Sequence, residues 1–197
     1  MGQKEEMIAD LKKDLDNALG IDEKKLADKI KTMGFNCKKC AQCCMSDFGD
    51  NTVIVSPSQI RKMCERSGLK RDDFVIPMPS DDRDQDGNIH TFEWVLKKNG
   101  DCIFLNEKMC EIYECRPFIC KTYPFFLLDG KLEVCECMGI GGNVSDMESF
   151  ELAGHLKERY VREIKESIAV FENFRGFNPD GSGTVCVHDS EGEHWIK

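Results

Sequence analysis

The sequence predicts an α+β fold, with helices at both ends of the chain enclosing an irregular core of short β-hairpins. Two observations support this. Apolar residues recur at helical spacing in residues 1–34 and 143–174, whereas glycine, proline and cysteine divide the segment between them into short runs. The 197 residues also include 12 cysteines, more than the packing of such a domain requires, so we expect the central core to be cysteine-rich and metal-bound.

These patterns divide the chain into four segments. Residues 1–34 are predicted to form an N-terminal helical hairpin, and residues 35–142 a cysteine-cluster domain that binds metal. Residues 143–174 are predicted to form a long helix that packs on this core as a lid, and residues 175–197 form a tail.

The N-terminal hairpin is predicted from periodicity and caps. Met7, Leu11 and Leu15 lie four residues apart, on one face of a helix that ends at Gly20. A second helix is predicted over residues 22–34, where glycine again marks the end. The apolar face of this hairpin is expected to pack against the core.

A third helix has three start signals. Ser56 is a capping residue, Pro57 occupies the first helical position, and Gln59 completes a capping box. This helix should end at Gly68, and Cys64 within it is expected to be a packed thiol rather than a ligand.

The remaining elements are short, apart from one helix. Ser145 and Glu148 form a capping box that starts the long helix, which is predicted to reach Phe171. A single helical turn after Pro117 should carry Cys120. Strands are predicted at 52–55, 92–96, on both sides of a turn at 106–109, in a hairpin formed by 125–128 and 131–135, and at 184–188 after turn residues 178–181.

Four thiols lie within eight residues, at Cys37, Cys40, Cys43 and Cys44. Two residues between thiols is a spacing at which one turn directs two thiolates at the same metal. The first three match the start of a bacterial ferredoxin run, but the fourth ligand expected in that run is replaced by Asp47. Cys44 therefore either substitutes for that ligand or serves a second centre.

Composition excludes several classes of partner. The net charge is -9 and the isoelectric point is near 5.0, which argues against a nucleic-acid or anionic-membrane surface. No apolar run has the length of a bilayer span, and the N-terminal residues lack the apolar region of a secretory signal. We therefore expect a soluble, cytoplasmic protein with reduced cysteines, and another protein as its partner.

Residues 82–93 match several positions of an EF-hand calcium loop. Carboxylates on alternate residues, a glycine for the sharp turn and a glutamate at the last position would suit a hard cation. Pro77 and Pro79 preclude an ordinary entering helix, so the alternative is a solvated acidic turn. The calcium candidates are Asp82, Asp84, Asp86, Asn88 and Glu93.

Two further features carry weaker predictions. The glycines of residues 139–142 would allow the backbone to approach a cluster sulfur or a ligand phosphate. Cys186, His188 and His194 would form a weak extra metal site, for which a surface strand and a frayed terminus are the simpler account.

Taken together, the cysteine motifs resemble the CxxCxxCC (YkgJ-type) cysteine-cluster family, over residues 35–142. The motifs that carry the resemblance are Phe35-x-Cys37-x2-Cys40-x2-Cys43-Cys44, Val55-Ser56-x3-Ile60, Cys102-x-Phe104-Leu105, Cys110-x-Ile112-Tyr113-x2-Arg116-Pro117-x2-Cys120-x2-Tyr123-Pro124-Phe125 and Cys137-x-Gly139-Ile140. The resemblance implies a domain that chelates zinc or iron. Its relatives include the flagellin lysine N-methylases, which transfer a methyl group to lysine and are associated with an iron-sulfur cluster.

The resemblance also implies the ligands. The family-pattern thiols are Cys37, Cys40, Cys43, Cys44, Cys102, Cys110, Cys120 and Cys137. Eight thiols suffice for two four-ligand centres or for one centre plus structural thiols, and Cys115 and Cys135 are secondary candidates. Tyr113 and Arg116 would either donate hydrogen bonds beside the thiolates or form a packed ring and an ion pair with a neighbouring glutamate.

Three functions fit these ligands. The first is an iron-sulfur protein with one or two [4Fe-4S] clusters and a redox or protein-modification accessory role, favoured because a second consecutive C-x2-C step is uncommon for zinc. The second is a structural zinc module that binds another protein. The third, by analogy, is a lysine N-methyltransferase that uses S-adenosylmethionine, although no separate nucleotide-binding unit is evident. Whether the chain is an enzyme stays open.

Overall fold

The structure is a computed structural model that describes residues 2–48, 50–177 and 184–197. Helices and short strands both occur in the described residues, which confirms the α+β prediction. The α-helices are α1 (Gln3–Leu19), α2 (Glu23–Met33), α3 (Pro57–Ser67), α4 (Arg71–Phe74), α5 (Phe118–Thr122) and α6 (Asp146–Asn173). Short 3-10 helices lie at Gln42–Cys44 and Tyr113–Cys115. The turn predicted at residues 178–181 lies outside the described residues.

The strands are two to five residues long and form small sheets. They are β1 (Ile54–Val55), β2 (Val75–Pro77), β3 (Ile89–Thr91), β4 (Trp94–Leu96), β5 (Lys98–Asn99), β6 (Asp101–Cys102), β7 (Leu105–Asn106), β8 (Met109–Cys110), β9 (Phe125–Leu128), β10 (Lys131–Val134), β11 (Val185–Asp189) and β12 (Gly192–Ile196). The sheet orders are β1-β4-β2 and β12-β11-β3, and the other strands pair as β5-β6, β7-β8 and β9-β10.

Three helices form one layer, because α6 packs against both α1 and α2. Leu156 of α6 is buried with Leu26 and Ile30 of α2, and Ile164 of α6 is buried with Ala18 of α1. α1 and α2 lie where the sequence predicted helices, and α6 begins at the predicted capping box.

A second core lies under the sheet β1-β4-β2. Phe74, Trp94 and Phe104 are buried there against α3, which begins after Ser56 and ends before Gly68 as predicted. Cys64 packs against this core, in agreement with the expectation that it is a packed thiol. The same core contacts the loops that carry Cys102, Cys110, Cys115 and Cys120, so the thiols lie at its edge.

The C-terminal strands belong to the interior rather than to a frayed surface. β11 is the central strand of its sheet, antiparallel to β12 and parallel to β3, and its residues Cys186–Asp189 are all buried. The expectation of a surface strand here was therefore wrong. β12 and β3, the latter about a hundred residues earlier in the chain, cover the two edges of β11. Val187 packs into the core on one face and an aromatic ring packs on His188 on the other, which explains the burial.

Candidate metal centre

The loop with the first four cysteines is anchored at its start by a glycine-rich turn. The Asn36 N–H donates to the Gly139 carbonyl at 2.9 Å, and the Gly141 N–H donates to the Gly34 carbonyl at 3.0 Å. A Cβ on Gly139 would lie 2.6 Å from the Asn36 oxygen. The close approach predicted for the glycines thus occurs against residues 34–36, and it requires no phosphate.

The same loop then curls tightly. Lys39 and Ala41 have φ values of 52° and 63°, in the left-handed region that side chains other than glycine seldom adopt. The Cys44 N–H closes the turn on the Ala41 carbonyl at 2.8 Å. Further on, the Ser46 N–H donates to the Asp101 carboxylate at 2.8 Å, which ties the loop to β6, the strand that ends at Cys102.

Five thiols form an inner group: Cys43, Cys44, Cys102, Cys110 and Cys120. A hydrogen bond between Cys43 and Cys44 lowers the pKa of Cys43 to about 7, against the effect of burial, and raises the pKa of Cys44. Burial, reinforced by the neighbouring thiols, raises the pKa of Cys120 to about 12. Burial, and to a smaller extent the neighbouring thiols, therefore opposes ionisation of most of these thiols unless a cation is bound.

Three thiols form an outer group beside the glycine-rich turn. The pKa of Cys137 is raised by burial and by the nearby thiols of Cys40, Cys37 and Cys43. Because Cys43 also interacts with the inner group, it connects the two. The fold thus brings all eight family-pattern thiols into one continuous neighbourhood, although they come from distant parts of the sequence.

Backbone donors point at three of these thiols in one repeated pattern. Burial raises the pKa of Cys102 and of Cys110, and the N–H groups of Phe104 and Ile112, which donate to these thiols, oppose that rise. The N–H of Gly139 donates to the sulfur of Cys137 at 3.4 Å. Each donor lies two residues after its cysteine. Such donors stabilise a thiolate, so the all-sulfur ligand set fits a bound metal.

Arg116 contributes positive charge beside the inner group. Its guanidinium stacks 3.7 Å from the centre of the Tyr113 ring and donates to the Tyr113 carbonyl at 2.6 Å. The same charge lowers the pKa of Cys43. Among the ion pairs of the described residues, none joins Arg116 to a neighbouring glutamate, so the alternative of an ion pair is not found.

The two secondary candidates lie at the margin of the cluster. Cys115 packs partly against the core beneath α3, and its thiol is close enough to Cys110 to affect its pKa. Cys135 is exposed. Together with burial and the thiol of Cys137, it raises the pKa of Tyr123 to about 12, so the phenol stays protonated and donates to the Glu136 carbonyl.

The thiols of the cluster are spread rather than tightly gathered. Within the described residues, the one set of three or more donor atoms that all lie within 4.8 Å of one another is His90, Cys186 and His188. This set includes two residues of the weak extra site predicted from the sequence, but not the third. His194 instead bonds the carboxylate of Asp189 at 2.9 Å.

Sequence reasoning missed His90 as a partner of Cys186. A His-x-Phe run at 90–92 and a Cys-x-His run at 186–188 both have the alternation typical of strands, but the strand predicted at 92–96 left His90 outside it. The pairing of these two strands was not predicted.

The candidates for calcium are arranged as a turn. Asp84 accepts hydrogen bonds from the backbone N–H groups of Asp86 and Asn88, and its other oxygen contacts the side chains of Asn88 and His90. Burial alone would raise the pKa of Asp84, but these donors lower it to about 2. Glu93 has a pKa raised by burial and by Glu163. Calcium binding at this loop stays a prediction.

Comparison with known proteins adds one assignment. The sequence pattern of the CxxCxxCC family, described as "Putative zinc- or iron-chelating domain", matches residues 36–168. No curated protein and no solved structure matches the chain at a significant level. No helix in the described part of the chain is long and apolar enough to cross a bilayer. Because the match spans more than half of the sequence and includes all eight family-pattern thiols, the chain belongs to the CxxCxxCC family of metal-chelating domains.

Proposed function

We propose that this protein holds one or two [4Fe-4S] clusters and serves a partner protein in a redox or protein-modification step. The eight family-pattern thiols would be the ligands. Metal chelation itself follows from the family, whereas the identity of the metal and the role of the chain are our proposal.

The spacing of the thiols carries this proposal. A tetrahedral zinc ion with Zn–S distances of about 2.3 Å brings its thiolates to within about 4 Å of one another. In this structure no three cluster thiols among the described residues lie within 4.8 Å of each other. An iron-sulfur cluster binds each thiolate through a different iron, so its ligands stand farther apart than ligands of a single ion. The wide arrangement therefore favours a cluster.

The protein would tune such a cluster through charge and hydrogen bonds. A bound cluster supplies one-electron chemistry, and its potential rises when donors and positive charge stabilise the added electron. The N–H groups of Phe104, Ile112 and Gly139 and the guanidinium of Arg116 are the donors and the charge on this chain.

The location of the thiols at the protein surface supports a role of the metal centre in a reaction with a partner protein. Cys37 and Cys43 are exposed, while Cys120 lies deeper, against the core. A metal centre at this edge would be within reach of a docked protein, and we propose that the partner binds there.

Metal analysis tests the proposal. Protein purified without oxygen should contain iron and acid-labile sulfide at about four or eight per chain, with a broad visible absorption that bleaches on reduction. One or two zinc ions per chain, without sulfide and without colour, would overturn the cluster assignment and favour a structural zinc module.

A further inference from the structure

The C-terminal sheet gathers three metal-binding side chains on one face. In the register of the parallel pair, Cys186 lies opposite His90, and alternation along β11 places His188 on the same face as Cys186. In the antiparallel pair with β12, Glu193 lies opposite His188. These neighbours follow from backbone pairing alone, which holds them without any contribution from the cysteine cluster.

The donor atoms are close and buried. His90 Nδ1 lies 2.8 Å from His188 Nε2, and one nitrogen of each ring lies within 4.8 Å of the Cys186 sulfur. His90 and Cys186 are fully buried and His188 is 3% exposed. Two histidines and a cysteine so enclosed are uncommon in a core unless they share a bond or a ligand.

Each histidine also has a carboxylate on its other ring nitrogen. His90 Nε2 contacts the Asp84 carboxylate at 3.2 Å, and His188 Nδ1 lies 3.7 Å from the Glu193 carboxylate. His188 Nδ1 is buried and has no hydrogen-bond partner among the described residues. Histidines that ligate metals commonly donate their remote N–H to a carboxylate, and that arrangement would satisfy this buried atom.

Aromatic rings close the site. The rings of Phe92, Phe174 and Phe177 pack on His188, and the ring of Trp195 meets His90 edge to face. Such walls exclude water and strengthen the attraction between a cation and the nearby carboxylates.

We propose that His90, Cys186 and His188 bind one zinc ion at a site separate from the cysteine cluster. One thiolate and two imidazoles suit this borderline-soft cation, and three protein ligands leave a fourth position open. The family match covers residues 36–168, so His90 lies within the matched region, whereas Cys186 and His188 lie beyond it. The ion would join the C-terminal strands to β3.

Binding requires only small changes. Tetrahedral Zn–N bonds of about 2.0–2.1 Å place two nitrogens about 3.4 Å apart, so the two rings separate by roughly half an ångström. The Asp84 carboxylate favours the proton on His90 Nε2, which leaves Nδ1 free to bind the ion. The proton between the two rings moves from His188 Nε2 to Nδ1, facing Glu193, and the thiol proton is released to solvent.

Nuclear magnetic resonance of the four histidines tests the proposal in the full-length chain. The protein is produced in iron-depleted medium, stripped of zinc and then titrated with Zn²⁺. Because the cluster thiols also bind zinc, Zn²⁺ is added until they are saturated and one further equivalent is bound. We expect the ¹⁵N signals of His90 Nδ1 and His188 Nε2 to shift in this titration, while His155 and His194 keep their signals. The cysteine cluster contains no histidine, so it cannot produce this change. Unchanged signals from all four histidines would overturn the proposal.

Matched variants give a second readout. His90→Gln should lose one zinc ion per chain by elemental analysis, and His155→Gln, in α6, should lose none. A His90→Gln variant that folds and keeps its full zinc content would overturn the proposal. If that variant does not fold, the Zn²⁺ titration of the native chain decides whether the zinc site exists. The iron content is a separate test of the proposed iron-sulfur cluster.

Discussion

This protein has two groups of side chains of the types that bind metals, and the two groups are built differently. The eight family-pattern thiols lie in loops, in one 3-10 turn, at the ends of two-residue strands and, for Cys120, in the five-residue helix α5, at the edge of a core. His90, Cys186 and His188 lie on two paired strands inside a sheet. The sheet places its donors within 4.8 Å, whereas the loops leave theirs more widely spaced.

The difference shows what fixes a ligand in space. Backbone hydrogen bonds between β3 and β11 determine which side chains are neighbours, so that site is arranged by the same forces that form the sheet. In the loops, hydrogen bonds such as those at Gly34 and Asn36 anchor only the ends of the thiol-bearing segment. We therefore expect the cysteine region to depend on its metal and the C-terminal sheet to be largely independent of it.

Removal of the metal should produce the largest difference between the two regions. Without a cation, repulsion among clustered thiolates opposes folding, and metal binding is itself folding free energy. We expect amide exchange in residues 36–48 and 101–120 to accelerate by at least about 100-fold, which corresponds to roughly 3 kcal/mol. Exchange in α6 and in β11 should change far less.

Hydrogen exchange followed by mass spectrometry, with and without metal, checks this expectation. Equal protection of the cysteine loops in both forms would show that they fold without metal and that the contrast between the two regions is incorrect.

Single cysteine substitutions test whether the cluster contains one metal centre or two. If Cys43 and Cys44 serve different centres, Cys43→Ser and Cys44→Ser should each lose about half of the bound iron. Loss of all iron from both variants would indicate one shared centre. Cys64→Ser is the matched control, because Cys64 packs against the core beside α3 and should leave the metal content unchanged.

Lowering the pH should destabilise the C-terminal sheet because of the buried His188. Burial, with a contribution from His90, lowers the pKa of His188 to about 4, below the ordinary value of 6.5. The unfolded chain therefore takes up this proton first as the pH falls, and stability is lost between about pH 6.5 and pH 4. His90, Asp189 and Glu193 face this ring, and Asp84 contacts His90 on its other nitrogen.

The expected loss is on the order of 2–3 kcal/mol, in the presence of a chelator. Urea unfolding followed by tryptophan fluorescence reports on this region, since Trp94 bonds Asp189 and Trp195 contacts His90. His188→Gln should flatten the pH dependence, and His155→Gln should not. If the pH dependence of stability is unchanged in His188→Gln, another titratable group causes the loss of stability in acid.

The smallest effect is expected at the turn that anchors the cysteine loop. A methyl group on Gly139 would lie 2.6 Å from the Asn36 oxygen and 2.9 Å from the Phe35 ring, so Gly139→Ala should destabilise the protein by about 1–3 kcal/mol. Gly154→Ala in α6 is the control, because its nearest contact is an ordinary 3.7 Å and alanine favours a helix. Thermal unfolding of the two variants measures the difference. Equal midpoints would show that the turn at Gly139 accommodates a methyl group without loss of stability.

Local signals predicted much of the fold. The bounds of α2 and α3 follow from their caps, and the hairpin of β9 and β10 lies where turn residues Asp129 and Gly130 predicted it. Such elements are specified by residues close in sequence, which is why a pattern of a few residues suffices.

The sequence by itself determined that the protein is a cysteine-cluster domain with helices at both ends, because spacing, caps and periodicity are local properties. It identified the thiols that belong to the family pattern, but it did not partition them between centres. Only the tertiary structure decided that Cys43 links two groups of thiols and that donors reach three cysteines from two residues further along the chain. It also decided that His90 meets Cys186 and His188, because parallel pairing of strands about a hundred residues apart leaves no local signal.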